Sequence, residues 1–274
     1  MIPGTNLRVI SKSALTGRFC ISVILFYFLV ACPGTAYAAR CHPREYHEIR
    51  KVIEVIDGDT VILEDNRHIR LIGINTPEID HENNTAETGA LEARDYLARI
   101  LGIHPEVYLY IDTEKYDRYQ RTLAHIFLPD GSNIQQLILE QGLATPLTIP
   151  PNLAFVECYQ QASHIAMEDK RGLWADPAYA MIEPDNIKPA HINKYIAVTG
   201  IITGITRFDS ATEIRLAHNV DLVINKSTYR YFENIDLDNL VGRRVSARGW
   251  LKKRKNVYQI RISHPVELVI INEH

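Results

Sequence analysis

Asp57-Gly58-Asp59-Thr60 sets two carboxylates two residues apart. In a strand both would point to one face, where like charges repel unless something positive lies near them. A hard cation held by oxygen ligands would satisfy them. A plain turn between strands would use the same residues, since Asp and Gly both favour turns. Further along come Arg70 and then Asn75-Thr76-Pro77-Glu78. If Asn66 and Arg67 form the loop of a tight hairpin, Glu64 pairs with Ile69 and Asp59 lies beside Ile74. That register gathers Asp57, Asp59 and Glu78 with the Asn75 carboxamide and the Thr76 hydroxyl, and Arg70 lies a few residues away on the same strand. Thr76-Pro77 also has the form of a helix start, with Thr as N-cap and Pro at the first helical position.

The elements that must position these groups are mostly strands. Ile49–Asp57, Thr60–Glu64 and His68–Ile74 are rich in β-branched residues, with turn chemistry at Asp65-Asn66-Arg67. Ala86–Leu101 has helical apolar spacing and closes near Gly102. Glu106–Asp112 and Thr122–Leu128 read as strands, Asn133–Gln141 as a short helix before Gly142, and Asn152–Lys170 as a final helix stopped by Gly172. Asp176–Pro189, with three prolines and little periodicity, reads as a linker. Beyond it Tyr195–Ile205, Glu213–Leu216, Asp221–Ile224, Arg243–Lys252, Val257–Ile262 and Val266–Ile271 alternate or run apolar, the pattern of a small β-barrel or sandwich.

Three segments carry a resemblance. Val55–Thr60 (VIDGDT), Arg70–Glu78 (RLIGINTPE) and Asp117–Phe127 (DRYQRTLAHIF) resemble the staphylococcal nuclease (thermonuclease) family in order and spacing, as does Leu173-Trp174 after the last helix. The resemblance spans about residues 49 to 176. It implies a five-stranded OB barrel with three helices, so the whole chain is expected to be mainly β with α, followed by a second small, OB-like barrel. It also implies roles. Asp59 matches a Ca2+-ligating aspartate and Thr76 a backbone carbonyl ligand, with Asp57 an acid in the outer shell. Arg70 and Arg121 match the two arginines that hold the phosphate, and Glu78 the general base. Arg118 and Tyr119 match a Lys–Tyr pair at the terminal phosphate of the nucleotide.

The physical chemistry agrees with those roles. Attack on a phosphodiester builds negative charge that planar guanidinium groups meet two oxygens at a time, and a divalent cation polarises the phosphoryl group. The chain departs from the family pattern in two places. Asn75 stands where the family has a second metal-ligating aspartate, which removes a ligand charge. Leu143–Pro151 (LATPLTIPP) holds no aromatic where nucleotide-stacking tyrosines are expected.

Composition is that of a folded protein, with 46% apolar and 23% charged residues, which excludes wholesale disorder. Residues 1–38 read as a signal peptide. Arg8, Lys12 and Arg18 precede the apolar run Phe19–Ala31, and Ala36-Tyr37-Ala38 has the form of a cleavage site. Leu29-Val30-Ala31-Cys32 also resembles a lipoprotein box, in which case a lipid on Cys32 would tether the chain to a membrane. Either way the chain is expected to be exported, periplasmic or secreted. Cleavage after Ala38 leaves Cys41 and Cys158, an even pair in an oxidising compartment and so a disulfide candidate.

Charge is divided along the chain. The segment 39–189 has 14 basic and 25 acidic residues, a net of −11, whereas 190–274 has 13 basic and 8 acidic, a net of +5. The expected organisation is a catalytic domain over 39–176, a linker over 177–189 and an OB-fold-like nucleic-acid-binding domain over 190–274. Arg243, Arg244 and the run Lys252-Lys253-Arg254-Lys255 would contact phosphates, with Trp250, Tyr258 and Tyr229 available to stack bases. The run would equally suit a solvated turn. Leu240–Leu251 (LVGRRVSARGWL) looks like a nucleic-acid-binding OB fold, by fold-level analogy.

The leading expectation is therefore a calcium-dependent nuclease acting on DNA or RNA, with no obligate protein partner. The alternative is a catalytically weakened nucleic-acid-binding protein of the same fold. A surface structural protein would bind no nucleic acid through 190–274.

Overall fold

The computed structural model describes residues 41–271, apart from 81, 84, 104, 217 and 218. The leader, its cleavage site and Cys32 lie outside the described residues. Alternating and β-branched stretches form the first barrel: β1 (Glu48–Val55), β2 (Thr60–Leu63) and β3 (His68–Leu71). Three two-residue strands follow, β4 (Ile74–Asn75), β5 (Ile79–Asp80) and β6 (Thr85–Ala86), then helix α1 (Ala90–Leu101). Next come β7 (Glu106–Tyr110), β8 (Thr122–Phe127), α2 (Ile134–Glu140), β9 (Thr145–Pro146) and α3 (Val156–Glu168). The five long strands close as β1-β2-β3-β8-β7, with β3 and β8 parallel and Arg70 beside Leu123. Val61, Leu63, Ile69, Leu71, Leu97 and Leu109 fill the interior.

The β2–β3 register differs from the sequence expectation. Thr60 pairs with Arg70 and Ile62 with His68, so Asp59 stands beside Leu71, whose N–H donates to the Asp59 carbonyl at 2.8 Å, and not beside Ile74. The cause is Asn66, which takes a left-handed φ of 62° and lengthens the turn, so that Leu63 N–H reaches the Arg67 carbonyl.

Helix α1 starts at Ala90, four residues later than its apolar spacing suggested. Thr85–Ala86 is taken up by pairing with β5, and Gly89 holds a φ of 90° that no helix can continue. Helix α3 likewise starts late, because Asn152 clamps the backbone of Glu114, accepting from its N–H at 2.7 Å and donating to its carbonyl at 3.0 Å. A disulfide joins Cys41 to Cys158, with Cα atoms 5.8 Å apart, and ties the start of the described chain to α3.

The second half of the chain repeats this topology. It comprises β10 (Met181–Ile182), β11 (Tyr195–Arg207), β12 (Ala211–Leu216), β13 (Val220–Asn225), β14 (Arg244–Arg254), β15 (Val257–Ile262) and β16 (Leu268–Ile271). Strands β11-β12-β13-β15-β14 form a ring, because β11 also pairs with β14, and β13 and β15 are parallel. Strands β10 and β16 are appended to it. The second core gathers Val198, Ile202, Ile214, Leu222, Val245 and Ile260. Residues 177–189, expected as a linker, pack against this ring. Met181-Ile182 pair in parallel with β11, and Pro184 and Ile187 are buried. Both barrels belong to one compact unit. They touch where the Tyr195 hydroxyl donates to the Pro146 carbonyl at 3.0 Å and where Arg248 lies 4.8 Å over the Trp174 ring, with Nη2 3.0 Å from Met167 Sδ.

Candidate active site

Asp59 is the hub of the first barrel's polar cluster. The turn that carries it is pressed against α1: a Cβ on Gly58 would stand 2.6 Å from Ala93 Cβ and 2.7 Å from Thr76 Cγ2, so this position admits only glycine. Asp59 is 4% exposed, yet both carboxylate oxygens have partners. Oδ2 accepts from the Thr76 N–H and hydroxyl, both at 3.1 Å, and from Arg70 Nη2 at 2.9 Å. Oδ1 accepts from the Thr60 hydroxyl at 3.2 Å, and Asp57 Oδ1 accepts from the Asp59 N–H at 2.9 Å. The Arg70 guanidinium also donates to the Leu71 carbonyl and, at 3.0 Å, to that of Ile74. One arginine thus fastens the turn after β3 to the acids before β2. That turn passes through Gly73, at a φ of 87°, where a Cβ would strike the Tyr159 ring.

Glu78 lies two residues after Thr76 at the surface, its carboxyl partly withdrawn from water. That withdrawal, then the charges of Asp59 and Asp57, hold its pKa above the usual carboxylate value, with Arg70 pulling the other way. Burial, then the Asp59 charge, raises Asp57 as well. Among the described residues, three carboxylates therefore share one field with one nearby cation, Arg70. This donor chemistry suits a hard divalent ion. The neutral donors are preset too, since Asn75 Nδ2 lies 3.4 Å from the Thr76 carbonyl and the Thr145 hydroxyl donates to the Asn75 carbonyl at 3.3 Å. Among the described residues no group of three or more His, Cys, Asp or Glu is arranged to hold a metal by itself. The oxygens of Asp59, Asn75 and Thr76 are the donors that such an ion would take.

The hairpin brings Asp59 beside Arg70 but, in its observed register, does not reach the Asn75–Glu78 loop. The side-chain bonds of Asp59 to Thr76, across 17 residues, join that loop to the ion pair. The other arginine is engaged in an ion pair of its own. Arg121 Nε donates to Asp117 Oδ2 at 2.8 Å and its N–H to Asp117 Oδ1 at 2.9 Å. Its guanidinium lies 5.6 Å from the Tyr119 ring, which Arg118 also covers at 4.6 Å. Tyr119 is 64% exposed and, with Tyr116, His68 and Arg121, lines a cavity of about 480 Å³. Sequence reasoning passed over Asp117, whose i,i+4 spacing to Arg121 was the available signal. It also passed over Glu87, whose carboxylate accepts from the Glu78 N–H at 2.9 Å.

In the second barrel the expected basic surface is split. Lys252–Arg254 end β14 and Lys255 forms the turn, whereas Arg243 and Arg244 lie at the far end of that strand, about 30 Å away at strand rise. Arg244 is paired with Glu183 at 2.8 Å and Arg243 is exposed. Lys252 Nζ donates to Asn193 Oδ1 at 2.9 Å, and Lys253 lies 5.3 Å over the Tyr258 ring. Two of the three expected stacking rings are corrected by the structure. Tyr258 is buried, and Tyr229 is half-buried against the second core, its hydroxyl bonded to that of Thr212 at 2.8 Å. Trp250 is 45% exposed and remains available.

Residues 68–176 match the family described as staphylococcal nuclease homologue. The thermonuclease of Staphylococcus hyicus is 34% identical over 129 residues, which is 46% of this chain and 75% of that protein. The thermonuclease of Staphylococcus intermedius is 32% identical over 127 residues, 45% of this chain and 74% of that protein. Endonuclease YhcR of Bacillus subtilis is 30% identical over 141 residues, 47% of this chain but 11% of that much longer protein. With the barrel, the Asp59–Arg70–Thr76 cluster and these matches in agreement, the chain belongs to the staphylococcal nuclease family.

Proposed function

We propose that the protein is a calcium-dependent nuclease that hydrolyses phosphodiester bonds of DNA or RNA. The observation that carries this reading is the convergence of Asp57, Asp59 and Glu78 on Arg70 and Thr76, a cluster with more negative charge than its own arginine balances.

In this reading Arg70 holds a non-bridging oxygen of the scissile phosphate and meets the charge that develops there, as a planar donor placed in advance. Glu78 is the general base. Its raised pKa makes it a better proton acceptor than an ordinary glutamate, and it takes the proton of the attacking water. A Ca2+ ion held by Asp59, Asn75 and Thr76, with Asp57 behind it, would polarise the phosphate. Arg121 supplies the second guanidinium. It immediately precedes β8, the parallel neighbour of the strand that carries Arg70, and Asp117 orients it. Arg118 and Tyr119 border the same surface and would meet a terminal phosphate.

The ionic clamp on Arg121 and the neutral Asn75 favour a second reading, a nucleic-acid-binding protein with weakened turnover. Digestion of DNA and RNA by the purified chain, with calcium or with chelator, decides between them. Cleavage that needs calcium and is lost in Glu78→Gln is expected. Cleavage surviving both chelator and Glu78→Gln overturns the assignment of the metal and the base, and binding without cleavage at any calcium level establishes the second reading.

We further propose export, because a Cys41–Cys158 bridge suits an oxidising compartment. Mass spectrometry of the mature N-terminus distinguishes a chain starting at Ala39 from one lipidated at Cys32. The second barrel, with Arg243 and Lys252–Lys255, is proposed to bring nucleic acid to the first.

A further inference from the structure

A cleft of about 530 Å³ runs from the Asn75–Pro77 loop to the face of the second barrel. Its near wall is the reverse side of the loop that presents Thr76 to Asp59, together with Glu87, whose carboxylate holds the Glu78 backbone. Its far wall carries Trp250, Tyr195, Asn193 and Lys194. We infer that this cleft binds a nucleobase of a single-stranded substrate, unstacked from its strand, next to the scissile phosphate. The inference rests on the nuclease reading and names the part of the substrate that the first barrel does not hold.

The chemistry of the walls selects a base over a phosphate. Trp250 is an exposed ring set edge-on to Tyr195, with centroids 5.8 Å apart and planes at 75°, and Tyr195 is itself fixed by its bond to the Pro146 carbonyl. A flat ring on a rigid support is a stacking platform that any base can use. Glu87 and Asp176 in the wall repel phosphate but accept hydrogen bonds from base N–H groups. Cations stand at the far wall, where Lys194 is exposed and Lys252 holds Asn193, in position for the backbone that carries the base in. Leu143–Pro151, beside the catalytic loop, has no aromatic residue, whereas this cleft is lined by half-buried Tyr179 and by Tyr195 and exposed Trp250 of the second barrel. Paired bases in a duplex cannot enter such a cleft without being extruded, which sets the preference for single strands.

The test compares wild type with Trp250→Ala, Trp250→Phe and Lys194→Glu. Fluorescence anisotropy of a labelled single-stranded oligonucleotide, in chelator so that nothing is cleaved, reads binding directly. Trp250→Ala is expected to weaken binding roughly tenfold and Trp250→Phe far less, with Lys194→Glu also weakened. With calcium present, the ratio of kcat/KM on the oligonucleotide to kcat/KM on a minimal nitrophenyl nucleotide diester should fall by a similar factor in Trp250→Ala. Equal oligonucleotide affinity for wild type and Trp250→Ala, with near-ultraviolet circular dichroism showing both folded, overturns the proposal. An equal loss in Trp250→Phe and Trp250→Ala also overturns it, since a ring would then not be what matters. Because anisotropy is read without turnover, a protein that binds through Trp250 yet cleaves nothing refutes the nuclease reading and leaves the cleft established.

Discussion

The two barrels share a strand order, with the third and fifth strands parallel in both, yet only one carries a reactive constellation. Each also buries an aspartate against an arginine on its second hairpin. Asp59 meets Arg70 in the first barrel, and Asp221, 1% exposed, meets Arg215 in the second. The difference lies in what else converges. Asp221 is matched by one arginine that is 44% exposed, and the pair is complete in itself. Asp59 shares its arginine with two backbone carbonyls and adds Thr76, while Asp57 and Glu78 crowd the same field. The fold supplies a closed frame. The site is made by one loop, Gly73–Glu78, that brings further acid to an ion pair already there.

Breaking the two pairs in parallel tests that distinction most strongly. Asp59→Ala leaves Arg70, whose side chain is 12% exposed, without its carboxylate, and should cost about 3–5 kcal/mol of stability with at least ~100-fold of activity. Asp221→Ala should destabilise less, because Arg215 can turn to water, and should leave hydrolysis of a minimal diester as in wild type. Urea unfolding and diester kinetics on both variants are the measurements. Equal losses of activity would show that the second barrel's pair is not merely structural.

The barrels also differ in covalent support. The Cys41–Cys158 bridge closes a loop of 117 residues within the first, and no other disulfide is found among the described residues. Chain-entropy reasoning puts its contribution at about 5 kcal/mol. Cys158→Ser should therefore lower the melting temperature by several degrees, and reductant should then have no further effect, as read by calorimetry with and without reducing agent.

A third contrast is in pH response. Burial raises Glu267, which accepts from the Ser263 and His264 N–H groups, from 4.5 to about 7. A carboxyl raised on folding stabilises fully below pH 4.5. Its contribution fades as pH climbs towards 7, and the loss, about 3 kcal/mol, is complete above that. His264 is pushed down by burial and opposes this slope below its ordinary pKa. Stability of wild type minus Glu267→Gln across pH 4 to 8 isolates the glutamate, since Gln keeps an oxygen for both N–H donors. A flat difference would place Glu267 in water.

How much of this was legible in the sequence depended on whether a position answers to its neighbours in the chain. The succession of strands and helices along the chain and the segments VIDGDT and RLIGINTPE were readable because periodicity and motif are local. The β2–β3 register was not, since it turned on the left-handed conformation of a single asparagine, Asn66. Arg248 shares strand parity with Trp250 and Lys252, and nothing local separates it from them. It is turned inward because Trp174 and Met167, about eighty residues earlier, arrive from the other barrel. Arg121 shows the same limit, for its motif identified the residue without showing that Asp117 would hold it.

The smallest expected effect concerns charge. If the second barrel gathers nucleic acid for an acidic partner, neutralising Lys252, Lys253, Arg254 and Lys255 together should weaken single-strand binding and flatten its salt dependence. Every phosphate that a cation no longer neutralises takes about 0.7 off the slope of log K against log salt. Four fully engaged cations would account for nearly three. Lys252 is tied to Asn193 and Lys253 lies over Tyr258, so the two residues at the turn, Arg254 and Lys255, are the freer pair and a change nearer 1.5 is expected. Arg243→Ala alone, at the far end of β14, should change the slope by less than one phosphate's share. A titration from 50 to 300 mM salt in chelator measures both. An unchanged slope in the fourfold variant would make the run a solvated turn, and would leave the stacking cleft as the second barrel's contribution to binding.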